Sequence, residues 1–183
     1  MFNFCPSCAS SSVSFRDGKK FFCPDCGFTY YHNVAAAAAC LVSARGKDGE
    51  RLLLTVRGRE PGNGLLDLPG GFIDPGEGVL EGLRRELREE LGWTPPVPRD
   101  ENPDSVFTLF ASFPNVYVYK SVTYNTCDLY FSVSAPCLSR KDLRVEKAEI
   151  SEVLFLKPQE IDFRQFAFDA TRRAVKAYLG ILD

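Results

Sequence analysis

The chain has 183 residues, 45% of them hydrophobic, with 24 acidic against 22 basic side chains and a formal net charge of −2. That composition is too apolar for a disordered chain and sufficient for one domain-sized core plus a small appendage. The slight acidity excludes a general electrostatic pull toward nucleic acid or acidic lipid, so a polyanionic partner would need some other attractor.

The N-terminal Met1-Phe2-Asn3-Phe4-Cys5 lacks the basic start and apolar run of a secretion signal. The longest uncharged apolar run, residues 34–42, is far short of the ~20 residues a membrane span needs. The expected setting is cytoplasmic, away from membranes. Seven cysteines, an odd number, argue against a fully paired disulfide scaffold. Four of them form Cys5-Pro6-Ser7-Cys8 and Cys23-Pro24-Asp25-Cys26. Each C-x-x-C pair can turn two sulfurs toward one ion, and two pairs complete a tetrahedron. Between them, Val13-Ser14-Phe15 and Lys20-Phe21-Phe22 flank the turn signal Asp17-Gly18, which predicts a β-hairpin. Residues 1–33 therefore read as a zinc ribbon with a structural Zn²⁺ on Cys5, Cys8, Cys23 and Cys26. A redox dithiol is the weaker reading, because the motif comes twice and has no βαβ context. With four thiolates, Zn²⁺ would take the net charge to about −4. Cys40, Cys127 and Cys137 lie in apolar or strand-like runs and read as ordinary thiols.

From residue 34 onward the composition changes. Five consecutive alanines, Ala35 to Ala39, suggest helix by propensity. The run is short, however, and Gly46-Lys47-Asp48-Gly49 and Arg51-Leu52-Leu53-Leu54-Thr55-Val56 follow it. Two strands joined by a turn are expected, with alanine where another element packs closely. Gly62-Asn63-Gly64 and Leu68-Pro69-Gly70-Gly71 mark a loop-rich stretch. Val79, Leu83, Leu87 and Leu91 recur at i+4, predicting a helix that Gly92 stops. A Pro-rich connector follows. Strands are then expected at 106–111, 116–122, 127–133 and 153–156, and a last amphipathic helix at 163–179 with Phe166, Ala170, Ala174 and Tyr178 on one stripe. This order implies helices packed on a sheet, α+β or α/β.

The central helix carries the chemistry. At 100° per residue, Glu86, Glu89 and Glu90 fall within about 100° of arc, while Leu83, Leu87 and Leu91 face elsewhere. Read alone, the acidic face could be solvated and paired with Arg84, Arg85 and Arg88. The loop ahead of it contains Gly70, Gly71, Pro75, Gly76 and Gly78, which lets backbone groups approach a ligand. From Gly71 to Trp93 the chain also satisfies G-x5-E-x7-R-E-U-x-E-E-x-G-U, with U a bulky apolar residue, at every specified position. Seven fixed residues at about 6% frequency make a chance match roughly one in a million.

That motif is the Nudix box, and the chain resembles a Nudix hydrolase over residues 34–183. The resemblance implies an α+β fold, an α/β/α sandwich with a mixed sheet, preceded by the small ribbon hairpin. It implies hydrolysis of a diphosphate linkage in a nucleoside diphosphate joined to another moiety, of the NADH, NAD or ADP-ribose type. Two carboxylates ~4 Å apart repel by ~4 kcal/mol at an effective dielectric of 20. Divalent ions remove that penalty and attract diphosphate, and hard oxygen ligands favour Mg²⁺ or Mn²⁺.

Carried over by position, the family pattern makes Glu86 and Glu90 metal ligands and Glu89 either a ligand or the acceptor of a proton from water. It makes the Gly70 carbonyl a further ligand and Arg85 the residue that orients a neighbouring carboxylate. Glu77 would brace the loop. Glu149 sits where related enzymes place another metal-binding or base carboxylate, against the alternative of an exposed turn residue. His32, the one histidine, lies outside the box, so a general base must be a carboxylate.

A zinc ribbon before a Nudix domain is similar to the NADH pyrophosphatases. Their Ser-Gln-Pro-Trp-Pro-Phe-Pro-x-Ser signature is reduced here to the Ser and one Pro of Ser112-Phe113-Pro114-Asn115. Phe113, Tyr117, Tyr119 and Tyr124 are candidates for stacking on substrate, or equally for strand core or a dimer contact. The expected partner is a nucleotide-type small molecule, with a homodimer formed through the strands. The alternatives are a Nudix fold kept as a non-catalytic ligand sensor, and a ribbon-directed nucleic-acid binder. The ribbon's three bases, Arg16, Lys19 and Lys20, leave the latter a weak footprint.

Overall fold

The computed structural model describes residues 2–46 and 49–182. It divides into two compact units, Met1–Val34 and Ala35–Asp183. In the first, β1 (Ser14–Arg16), β2 (Lys20–Phe22) and β3 (Thr29–Tyr31) form an antiparallel sheet in the order β1-β2-β3. The hairpin expected around Asp17-Gly18 is present, both turn residues having positive φ. The third strand was not anticipated: three residues are too few to show a period. Phe21 is buried and packs edge-on against Phe2 and Phe28. So small an apolar cluster is far below what a domain needs to fold by itself.

The second unit is built on a seven-stranded mixed sheet in the order β10-β5-β4-β9-β8. Its strands are β4 (Ala35–Gly46), β5 (Gly49–Arg57), β6 (Leu66–Asp67), β7 (Gly70–Phe72), β8 (Thr108–Tyr119), β9 (Val122–Ser134) and β10 (Ile150–Leu156). β4 and β9 run parallel and the other pairings are antiparallel. Helix α1 (Val79–Leu91) covers one face, where Leu83, Leu87 and Leu91 are fully buried against Cys40, Val42 and Leu53. Helix α2 (Asp169–Tyr178) covers the other, with Ala170, Ala174 and Val175 over Leu41, Leu52 and Leu54. Alternate residues of β4 thus enter opposite cores, which explains a strand apolar on both faces. Of the expected turn between β4 and β5, Lys47 and Asp48 lie outside the described residues.

Helix α1 has the bounds its periodicity predicts, and Gly92 closes it in the left-handed conformation at φ 60°. Other boundaries differ. The loop-rich stretch contains β6 and β7, short strands held by β5 and β4. The runs 106–111 and 116–122 are not separate strands. β8 continues through Pro114, which is tolerated because β8 lies at the sheet edge, and turns back into β9 after Tyr119. The last helix begins at Asp169 rather than 163, because Phe166 bridges to Leu66 and the Ala167 N–H donates to the Leu66 carbonyl. Cys40 is buried, which pushes its thiol well up and leaves it inert; Cys127 is half-buried and Cys137 exposed.

Candidate active site

Where β7 lies beside β4, Gly70 approaches so closely that a Cβ on it would stand 2.2 Å from the Ala38 carbonyl oxygen, and its φ is +146°. This is the close packing that the alanine run makes room for. At Gly71 a Cβ would meet the Glu86 carboxylate, 2.6 Å from Oε1. The two glycines therefore let the loop backbone close over the acidic face of α1.

Arg85 organises that face. Its Nε and Nη2 donate to the two carboxylate oxygens of Glu77 at 2.8 and 3.0 Å. Nη2 also donates to the Phe72 carbonyl at 3.0 Å, and Nη1 to Glu86 at 2.7 Å and Glu89 at 3.2 Å. The Glu77 carboxylate also accepts from the Asp74 N–H at 3.1 Å, so it braces the loop. Hydrogen bonds from Arg85 hold the Glu77 carboxyl below its ordinary range. The guanidinium is 19% exposed, as a side chain enclosed by its partners should be.

Glu86, Glu89 and Glu90 differ in setting. Glu89 is 57% exposed. Glu90 is buried and accepts the Gly70 N–H at 2.8 Å. Burial pushes its carboxyl well up, the Gly70 hydrogen bond opposes the shift, and the nearby carboxylates of Glu86, Asp67 and Glu149 reinforce it. Burial raises Glu86 too, against the pull of Arg85. Glu149, on the approach to β10, completes the group: with Gly70, Gly71, Glu86, Glu89 and Glu90 it lines one cleft of about 250 Å³. It pairs with Arg59 at 2.9 Å.

This donor set suits a hard divalent ion. Five carboxylates, those of Asp74, Glu86, Glu89, Glu90 and Glu149, and a glycine backbone border one polar cleft, and the Arg85 cation pairs with three of the five, Asp74, Glu86 and Glu89. Burial disfavours the ionised form of Glu90, and a dication beside it would offset that cost. In the first unit, the Sγ atoms of Cys5, Cys8, Cys23 and Cys26 all lie within 4.8 Å of one another. The pairs Cys5–Cys26 and Cys8–Cys23 are 3.6 and 3.7 Å apart. A tetrahedron of Zn–S bonds of ~2.3 Å has edges of ~3.8 Å, whereas a disulfide would bring sulfurs to ~2.05 Å. The four thiols fit zinc.

The aromatic candidates divide. Tyr117 lines the acidic cleft, and its ring meets Phe72 edge-on at 5.5 Å. Tyr119 and Tyr124 border an adjoining hollow with Phe72 and Tyr117. Phe113 is elsewhere, packed against the α2-side core beside Tyr130 and under the Arg173 guanidinium. His32 is half-buried, its backbone N–H donating to the Lys19 carbonyl. Sequence reading missed Arg57 and Arg59, which bring positive charge to the acidic cleft. A signal existed: two arginines bracket Gly58 at the end of an apolar strand. It also missed buried Asp67, which pairs with Arg57 at 2.8 Å, and buried Asp128. Each is one acid in an apolar run, and no local pattern marks it.

A family model for the NUDIX domain matches residues 33–178. The NAD-capped RNA hydrolase NudC of Stutzerimonas stutzeri is 33% identical over 89 residues, covering 49% of this chain and 30% of that protein. The human mitochondrial NAD(P)H pyrophosphatase NUDT13 is 37% identical over 89 residues, 49% of this chain and 24% of that protein. The match thus spans less than a third of either relative. Among solved structures, a NUDIX hydrolase from Nitrosomonas europaea superposes with TM-score 0.66 at 22% identity, over 98% of this chain and 91% of that one. The NUDIX domain of Shewanella oneidensis NrtR, solved with ADP ribose, superposes with TM-score 0.63 at 17% identity, over 88% and 94%. With the family model covering most of its length and the same fold recurring in these structures, this chain belongs to the NUDIX family.

Proposed function

We propose that this chain hydrolyses a phosphorus anhydride in a nucleoside diphosphate joined to a second moiety, of the NADH, NAD or ADP-ribose type. One observation carries the reading: the fold gathers Glu86, Glu89, Glu90 and Glu149 around a single glycine-walled cleft. In this reading residues 34–183 form the hydrolase domain and residues 1–33 a zinc ribbon, whose Zn²⁺ on four cysteines is structural because its shell is closed.

Glu86 and Glu90, with the Gly70 carbonyl, would hold Mg²⁺ or Mn²⁺, and Glu149 is a further candidate. Such an ion supplies positive charge that neutralises diphosphate oxygens as the bond breaks. Glu89, the most exposed of the helix trio, accepts the proton of the attacking water or joins the ligands. The water oxygen bonds to one phosphorus, the anhydride P–O bond breaks, and the leaving phosphate takes the electron pair. Arg85 positions Glu86 and Glu89 without needing to touch substrate. Tyr117, at the cleft wall, is placed to contact the nucleoside side of the substrate. A homodimer would cover Val116, Val118 and Val122, which β8 and β9 leave exposed.

The test is a panel of NADH, NAD⁺, ADP-ribose, dinucleoside polyphosphates, nucleotide sugars and nucleoside triphosphates with Mg²⁺ or Mn²⁺. Wild type and Glu89→Gln are compared, with products identified by mass spectrometry. The reading expects metal-dependent cleavage that Glu89→Gln lowers by ~10²-fold or more. Binding of a nucleotide without turnover under any metal would favour the ligand-sensing alternative.

A further inference from the structure

A second cavity, of about 90 Å³, opens on the α2 face of the sheet and shares Arg57, Gly70, Gly71, Phe72 and Tyr117 with the acidic cleft. It exists because of β4. Ala37 and Ala39 lie opposite Asp128 and Tyr130 in the parallel β4–β9 register, and their methyl groups leave the space that larger side chains would fill. The walls are aromatic: Tyr117 stands 5.5 Å from the Phe72 ring centre and 5.8 Å from that of Phe168.

The floor is polar. Thr126 and Asp128, two apart on β9 and so on the same face, are 3% and 8% exposed. Asp128 Oδ2 accepts from the Asn115 side-chain amide at 2.8 Å and the Tyr130 hydroxyl at 3.4 Å. Asp128 Oδ1 and Thr126 Oγ1 have no hydrogen-bond partner among the described residues. The neighbouring acid, Asp67, is satisfied by Arg57, by the Thr171 hydroxyl and by the Leu68 N–H. Leaving buried polar atoms unmet is costly, so two of them together lining a cavity beside a reactive cleft point to a ligand that meets them.

We infer that Asp128 and Thr126 read the polar edge of a planar ring bearing an amino or carboxamide group. Asp128 Oδ1 accepts its N–H, Thr126 pairs with the adjacent ring nitrogen or carbonyl, and the touching rings of Phe72 and Tyr117 form one wall beside it. This rests on the reading of the acidic cleft in one respect: the ring is joined through its sugar to the diphosphate there. Two sources share this chemistry, the 6-amino edge of adenine and the carboxamide of nicotinamide. Nicotinamide hypoxanthine dinucleotide alters the first edge, and nicotinic acid adenine dinucleotide the second.

The experiment measures kcat/KM for NAD⁺ and these two analogues with wild type, Asp128→Asn and Thr126→Val. Wild type is expected to disfavour one analogue by about 10- to 100-fold, and which one identifies the ring. Asp128→Asn keeps the shape but turns a donor toward the cavity, so that ratio should shrink by about tenfold or invert. Thr126→Val should keep the preference, weaken the favoured compound several-fold and leave the melting temperature unchanged or higher. Three results overturn the inference: equal use of all three compounds by wild type, one common factor of loss on all three in Asp128→Asn, or a lower melting temperature in Thr126→Val. The last would show a hydroxyl already satisfied within the fold. If none of the three is hydrolysed, the reading of the cleft fails separately. Calorimetric titration of the same compounds then decides the pocket by the same ratio, and absence of binding overturns it.

Discussion

Two adjacent glycines should fail in opposite ways. In Gly71→Ala the new Cβ would lie 2.6 Å from Glu86 Oε1 and 2.7 Å from Cδ. Restoring ordinary contact requires the carboxylate to withdraw by roughly 0.8 Å. The obstacle is the far end of a flexible side chain, so the move costs about 0.5–1.5 kcal/mol of rotamer strain. Alanine in extended backbone returns about 0.4–1 kcal/mol through the unfolded chain. Stability should therefore stay within ~1 kcal/mol of wild type. Activity should not: a displacement approaching 1 Å at the reacting centre costs on the order of 10²-fold. In Gly70→Ala the obstacles are backbone atoms, Ala38 O at 2.2 Å and Ala39 Cα at 2.7 Å, at a φ of +146°. Neither can yield without opening the β4–β7 pairing, so a loss of at least about 3 kcal/mol is expected. Urea unfolding gives the stabilities. Turnover of whichever nucleotide the protein is found to cleave, and calorimetric titration with Mn²⁺, report on the site. A folded Gly71→Ala protein with unaltered turnover and Mn²⁺ affinity would refute the placement of Glu86, and a fully stable Gly70→Ala protein would refute the close approach.

Arg85→Ala leaves Glu77 and Glu86 without their cation and should cost about 1–3 kcal/mol in denaturant unfolding, together with on the order of 10²-fold in turnover. Arg85→Lys should recover little, since a point charge cannot reach three carboxylates and the Phe72 carbonyl at once. Elemental analysis should find one zinc per chain, lost in Cys8→Ser; proteolysis should then cut within residues 1–34 and spare residues 35–183. Burial raises the carboxyls of Glu90, Glu86 and Asp67, so the native state holds protons that the unfolded chain releases. In divalent-free buffer, stability from these groups is full below the ordinary carboxyl range and declines as pH rises through their native values. The lowered Glu77, Asp142 and Asp162 act oppositely, and only at more acid pH. The melting temperature should fall as pH rises above the ordinary carboxyl range, and Mn²⁺ should restore it most at the alkaline end of that fall. A flat or rising profile without metal would contradict the buried setting of Glu90.

What was legible in the sequence is what short-range chemistry dictates. Helix α1 could be bounded to the residue because its leucines repeat at i+4 and a glycine ends it, and its carboxylates share a face by helix geometry alone. The four cysteines were legible because a C-x-x-C turn is itself a local structure. Where pairing between distant segments decides, the sequence was silent. β6 and β7 are too short to show a period and exist because β5 and β4 hold them. Pro114 looked like a break until β8 proved to be an edge strand. α2 starts late because β6 takes the backbone of residues 166–167. Glu149 was tied to the α1 glutamates only by the family resemblance, and Asp128 and Thr126 were not singled out at all; all three reach their places because strands remote in the chain lie side by side. Such proximity follows from sheet order, and sheet order is settled by the burial of both faces at once, which no single stretch of sequence encodes.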